Sequence, residues 1–328
     1  MSQPESPARR PLGTLAADVL LLTAALIWGT TFVAQKLATE HMGPVLFNGT
    51  RYALGAAILL PFALRRWRRI DNPRARRDAL IGGALAGVAM SLGSTLQQVG
   101  MHSTSVSNAG FITGLYVIIV PMLGLFVGQR VRWTVWTGAT LAVAGLFFLS
   151  LYDPSRGLLD VSMNRGDLWV LACALAWSFH VQIIGWAAPE ADPVVISAVQ
   201  FAVTGILALV VSQVLAHGWP GEEWGAREAF SLGALQSVVW PLAYATLLST
   251  CIAFTLQTVA QGSAPAAHAA ILLSLESVFA ALAEGACLMA GWSGLGSPLT
   301  GWKLLGCGLM FVGVIVSQWR IRPRLAPT

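Results

Sequence analysis

The sequence predicts an all-α membrane protein: ten transmembrane helices in two inverted five-helix repeats, with both termini on the cytoplasmic side. Three observations predict it. The 328 residues are 55% hydrophobic and only 11% charged, with a mean hydropathy of +0.67, whereas a soluble domain carries about 25% charged residues. Ten apolar stretches are each long enough to cross about 30 Å of hydrocarbon. A glutamine-bearing phrase is written twice, as TLQQVGMHSTSVSNA from Thr95 and as TLQTVAQGSAPAAHA from Thr255.

The spans fall at about 15–37, 44–64, 79–101, 104–128, 134–152, 167–187, 193–216, 236–260, 266–290 and 301–319. The first follows Ala8, Arg9 and Arg10 and has the outline of a cleaved leader. Its core, LTAALIWGTTFV, has an internal counterpart in LACALAWSFHVQ, so it is read as a retained helix. Asn-Gly-Thr at Asn48 lies within the second span and is read as a chance match to a glycosylation acceptor. The glycines of IGGALAGVAM (81–90) in the third allow close helix approach. Pro121 in the fourth removes a helix hydrogen bond and is expected to bend it near Tyr116. The loop 217–233 is expected to lie on the surface as a partly amphipathic segment. Cys173, Cys251, Cys287 and Cys307 all sit inside apolar segments without metal-ligand spacing, and are read as small packing residues.

Orientation follows from the arginines. Arg9 and Arg10, the run from Arg65 to Arg77, Arg130 with Arg132, and Arg320, Arg322 and Arg324 hold 14 of the 20 basic residues. With the N-terminus inside, all of them fall on the cytoplasmic side, as the positive-inside rule asks. The same distribution argues against a nucleic-acid groove. The organisation expected is a cytoplasmic tail over 1–14, a first five-helix repeat over 15–152, an outer linker over 153–166, a second, inverted repeat over 167–319, and a cytoplasmic tail over 320–328.

The repeat extends beyond the twin phrase. Spans one and two align with six and seven at a spacing of 149, through Asp18/Asp167, Trp28/Trp177, Pro44/Pro193 and Arg51/Gln200. Spans three and four align with eight and nine at 160, through Gln97/Gln257, Asn108/His268 and Tyr116/Glu276. Spans five and ten share the pairs Gly138/Gly306 and Gly145/Gly313 at 168. Five is odd, so the second copy enters the membrane upside down. Inverted repeats are a common architecture for alternating access around a site near the midplane. That is the logic of a transporter.

The run NAGFITGLYVIIVPMLGLFVGQR (108–130), the paired ALIWGTTF and ALAWSFHV, RYALGAAILLP (51–61) and LLSLESVFAAL (272–282) resemble the drug/metabolite transporter superfamily, in particular its EamA-like branch. The resemblance covers about residues 15–320. It implies a ten-helix inner-membrane carrier for small organic solutes, often an exporter of amino acids or related metabolites. The chain departs from the family's pattern where a Gly-Glu pair often ends spans four and nine: the first copy has Gln129, the second reads MAGW (289–292), and an acid, Glu284, comes earlier.

Charged residues within a span cost about 2.5–3.5 kcal/mol to insert, which makes them site candidates. Glu276, opposite its counterpart Tyr116, is expected near the midplane. There it would bind a substrate amine or hydroxyl or carry a coupling proton; the alternative is a structural hydrogen bond between the halves. Trp28 and Trp177 would flank an aromatic or apolar substrate group, or simply pack. His180 lies three residues after Trp177 on a similar face, as a substrate contact or a packing residue. These five form the expected substrate site. Arg51, Gln97, Asn108, Gln257 and His268 are the expected pathway and gating residues. For Arg51 a permanent pairing with an acid such as Glu284 is favoured over capture of a substrate carboxylate. Asn108 and His268 also read as plain helix caps.

The function expected is a secondary transporter moving small organic metabolites, amino acids or related compounds, across the cytoplasmic membrane, in the efflux direction. The alternatives are uptake or exchange of carboxylates or nucleosides, or a non-transport membrane receptor. No HExxH, GxSxG or paired-aspartate motif points to an enzyme, and no P-loop to an NTP-driven pump. No cofactor or metal is expected. The expected partners are a small-molecule substrate, protons as a candidate coupling ion and the lipid bilayer, with no nucleic acid; a monomer suffices and a dimer is compatible.

Overall fold

The computed structural model describes residues 12–150, 152, 164–218, 227–292 and 298–319. Most of the expected N-terminal tail, most of the linker over 153–166, part of the 217–233 loop and the C-terminal tail lie outside the described residues, as do Arg9, Arg10, Arg320, Arg322 and Arg324. Among the described residues the secondary structure is helical throughout, with nine helices long and apolar enough to cross a membrane and a tenth, Trp133–Leu149, somewhat shorter.

The first span is α1 (Thr14–Ala38), the second α2 (Pro44–Trp67) and the third α3 (Pro73–Met101). Proline at the first helical position, where its missing N–H costs nothing, starts α2 and α3. Asn72 adds a side-chain cap to α3 by accepting from the Arg74 N–H at 2.9 Å. The sixth span, α7 (Arg165–Ala187), opens on a reciprocal capping box between Asn164 and Asp167. The seventh is α8 (Pro193–Gly218). α6 (Trp133–Ser150), the fifth span, and α14 (Gly301–Gln318), the tenth, pack backbone to backbone. A Cβ on Gly138 would meet the Gly313 carbonyl oxygen, and one on Gly145 that of Gly306, so this crossing exists only with glycine there.

Three spans are not the continuous helices the sequence suggested. The fourth is split into α4 (Val106–Gly114) and α5 (Tyr116–Phe126), and the ninth into α12 (Ala266–Leu273) and α13 (Glu276–Met289). The breaks fall at Leu115 and at Ser274–Leu275, the corresponding register of the two copies. At each, the backbone tightens into i to i+3 bonds, with Ile118 N–H on the Leu115 carbonyl at 3.1 Å and Ser277 N–H on that of Ser274 at 3.2 Å. Pro121 lies inside α5, downstream of its break, and the ninth span breaks with no proline at all, so proline is not the cause. The eighth span runs through α9 (Leu232–Ser237), α10 (Val239–Tyr244), a π-helical stretch Ala245–Phe254 and α11 (Thr255–Gln261). Its counterpart α3 is a regular α-helix.

The helices pair across the two halves. α2 lies against α8, α3 against α7 and α8, and α1 against α13 and the π-helical stretch. Large apolar side chains such as Leu54, Ile58, Leu175, Ile206 and Ile315 stay exposed around the outside, where a bilayer, not water, is the solvent.

Candidate functional site

A narrow cavity of about 40 Å³ lies where the broken fourth and ninth spans meet α1, α2, α3, α7 and the eighth span. Each wall is a helical stripe. On α1 the residues Trp28, Thr31, Phe32 and Gln35 follow the i, i+3, i+4, i+7 spacing of one face, and on α7 Trp177, His180 and Val181 do the same. The breaks at Leu115 and Leu275 place Tyr116 and Glu276 at the first residue of each second half-helix.

Eight of the ten candidates line this one cavity: Trp28, Arg51, Gln97, Tyr116, Trp177, His180, Gln257 and Glu276. The aromatic wall is centred on Phe254, the last residue of the π-helical stretch. Its ring lies 4.6 Å from that of Trp28 and 5.7 Å from that of Trp177, which stacks on it. The wide π turn also leaves the Ser249 carbonyl to accept from Trp28 Nε1 at 3.4 Å. Gly93 on α3 admits the Trp177 indole; a Cβ there would sit 3.0 Å from the ring.

The polar wall is only partly satisfied. His180 Nε2 lies 3.0 Å from Gln200 Oε1, Gln97 donates to Thr113 at 3.2 Å, and Gln257 donates to Gln261 at 2.9 Å. The Glu276 carboxyl and the Tyr116 hydroxyl are near enough to interact, yet Glu276 Oε1 and the hydroxyl complete no hydrogen bond among the described residues. Trp177 Nε1, His180 Nδ1 and Gln257 Oε1 are also without a partner there.

Arg51 corrects an expectation. The residue is 2% exposed, and its guanidinium packs 4.5 Å from the Tyr52 ring centre and donates from Nη2 to the Tyr52 hydroxyl at 2.8 Å. It does not pair with Glu284, which lies on α13 within electrostatic reach of Lys303 on α14. Depth along the helix is shared by residues on any azimuth, and these two face different neighbours. Arg51 Nε and Nη1 remain without partners among the described residues.

Asn108 and His268 do not line the cavity. Neither caps its helix: Ser105 caps α4, accepting from the Asn108 N–H at 3.1 Å, and Pro265 precedes α12. His268 instead meets Asp18 of α1 at 2.7 Å, in a polar vestibule at the arginine-rich end. Sequence reasoning missed Thr31, Gln35, Thr113 and Phe254. The first two were within reach, one and two helical turns on from Trp28 along the same stripe. Among the described residues no group of three His, Cys, Asp or Glu side chains is placed to hold a metal ion.

The model of the EamA-like transporter family matches residues 15–151 and 164–319. An uncharacterized transporter of Archaeoglobus fulgidus is 30% identical over 94% of this chain and 87% of its own. The uncharacterized transporter YoaV of Bacillus subtilis is 24% identical over 93% and 97%. The uncharacterized inner membrane transporter YedA of Escherichia coli is 24% identical over 59% and 61%. A solved crystal structure at 20% identity superposes with a TM-score of 0.65, covering 93% of this chain and 96% of that one, and shares the fold.

Proposed function

We propose that this chain, which belongs to the EamA-like transporter family, is a secondary carrier that moves amino acids or related small metabolites by alternating access. It is a multi-pass transporter of the inner membrane. The observation that carries the substrate reading is a basic and an acidic side chain on the wall of one cavity, neither of them fully hydrogen-bonded among the described residues. Arg51 and Glu276 both line it, and both keep buried polar atoms without partners. A buried polar atom left unpaired costs about 1–3 kcal/mol, and seven such atoms on six side chains lining one cavity favour an occupant that completes them. A zwitterion does so: its carboxylate at the Arg51 fork, its ammonium at Glu276, its apolar part against Trp28, Phe254 and Trp177. A nucleoside would leave the guanidinium without an anion. Outward transport rests on the family resemblance.

The helix pairing supports the inverted repeat. α2 meets its own counterpart α8, and α6 meets α14. The contact of α3 with α7 is mirrored by that of the eighth span with α1, and α1 against α13 by α7 against α4 and α5. A two-fold exchange of halves produces this set, and two related conformations follow from it. Glu276, at the start of a half-helix, is the candidate for a coupling proton.

The test is counterflow in proteoliposomes with labelled amino acids, carboxylates and nucleosides, with and without a pH gradient, beside Glu276→Gln and Arg51→Gln. Saturable exchange of amino acids, lost in Arg51→Gln and lost or uncoupled from protons in Glu276→Gln, is the expected result. Amino-acid exchange that both variants leave intact sinks the site; exchange confined to nucleosides sinks the substrate class.

A further inference from the structure

A second concavity, of about 330 Å³, lies on the lipid-facing side, walled by α2, α3 and α8 and lined only by apolar side chains. Its long wall runs along α2 from Ala56 through Leu60 and Leu64 to Trp67, and Val195 and Val199 of α8 face it. Eleven helical steps rise about 16 Å, against about 15 Å for half of the hydrocarbon core. The slot therefore has the depth of one leaflet.

What stands above it is charge. Residues 65–78 carry seven arginines and two aspartates. Arg76 is engaged, donating to the Ile70 carbonyl at 2.7 Å with its guanidinium over the Trp67 ring, and Arg66 lies 4.0 Å from Asp192. Arg65, Arg68 and Arg69 are exposed and make no ion pair among the described residues. Arg68 follows Leu64 by one turn on the row that lines the slot, with Arg65 and Arg69 beside it in the chain. A slot as deep as one acyl chain with an unpaired guanidinium at its end matches one amphiphile on both counts. We propose that this groove is a binding site for an anionic phospholipid, with an acyl chain between α2 and α8, the headgroup phosphate at Arg68, and Arg65 and Arg69 adding neighbouring positive charge. The site is separate from the central cavity and does not depend on what that cavity carries.

The experiment is native mass spectrometry of the purified full chain, titrated with phosphatidylglycerol or phosphatidylcholine of identical acyl chains. Two variants accompany the parent: the triple change R65Q, R68Q and R69Q, and Ala198→Trp, which fills the slot from α8. The parent is expected to retain the glycerol lipid in clear preference to the choline lipid, and the triple variant to lose that preference by about fivefold per charge removed. Ala198→Trp, arginines intact, is expected to lose retention of both lipids. Equal retention of the two lipids by the parent overturns the proposal. So does preference that survives the triple change, or a dimer of the parent that Ala198→Trp dissociates, which would make a second copy the occupant. Should Ala198→Trp fail to elute as a single folded species, the triple variant decides, since its three positions are on the surface.

Discussion

At the end of the bundle where α1 finishes, the Lys36 ammonium donates to the Met101 and Thr104 carbonyls at 2.7 and 3.0 Å, closing the C-terminus of α3. Thr104 donates in turn to Asp167, which also completes the α7 capping box. Glu228 accepts from the Val45 and Leu46 N–H groups at 3.0 and 2.6 Å, capping α2. At the arginine-rich end, His268 meets Asp18 in the wall of a vestibule of about 530 Å³ that Arg130 and Arg132 also line. Asp18 and Asp167 are repeat counterparts, so one position serves both ends. The difference lies in what each carboxylate finds: a hydroxyl within a network of helix caps, or an imidazole beside a wide opening. The arginine-rich end is tied instead by side-chain amides, Gln129 donating to Gln182 at 3.0 Å and Gln182 to the Val120 carbonyl at 2.7 Å.

The largest way to break this asymmetry is Asp167→Ala. It removes the Thr104 contact and half of the capping box, at an expected cost of about 2–3 kcal/mol. A lowered thermal midpoint in detergent reads it; an unchanged midpoint denies Asp167 a place in the closure. Lys36→Met leaves two carbonyls without their donor, for about 1–2 kcal/mol. It should also speed the reaction of a membrane-impermeant thiol reagent with a cysteine placed at Gln97, and an unaltered rate would mean that Lys36 closes nothing. Asp18→Asn weakens a contact that is partly open to solvent, so about 1 kcal/mol or less is expected. Faster counterflow with little change in midpoint would mark it as a latch, while equal counterflow would leave it a packing contact.

Glu228 gives the smallest effect and sets its sign by pH. It lies outside the spanning segments, where burial raises its carboxyl above the ordinary value of 4.5 while the two N–H bonds pull the other way. A raised folded-state pKa contributes stability that is full below 4.5 and is lost as pH climbs through the folded value. Stability should therefore rise slightly on acidification from pH 7 towards 5, and Glu228→Gln should flatten that slope. A parent slope that persists in the variant would assign it to other groups.

How much of this was legible beforehand differs by residue. Glu276 and Tyr116 stood out because a carboxyl in a span is rare and the 160-residue spacing set a phenol opposite it. Trp28 and Trp177 stood out as a pair. Phe254 did not, since nothing local separates it from a dozen other phenylalanines, and only the π-helical turn aims it between the two indoles. Arg51 was seen but given the wrong partner, because depth was readable and azimuth was not.

Length, hydropathy and the doubled phrase by themselves determined the spans and the correspondence between the copies, because crossing a bilayer demands a long run of apolar, internally hydrogen-bonded helix. Three caps were local too, written in Asn72, Ser105 and Asn164, whereas α2 is capped by Glu228 from far along the chain. Tertiary structure alone decided where the fourth and ninth spans break, where the eighth widens, and which polar atoms are left open to the cavity. In water, the buried face of a helix announces itself by contrast with a polar one. Between lipid and a packed apolar core that contrast nearly vanishes, so the face each helix presents is settled only when its neighbours arrive.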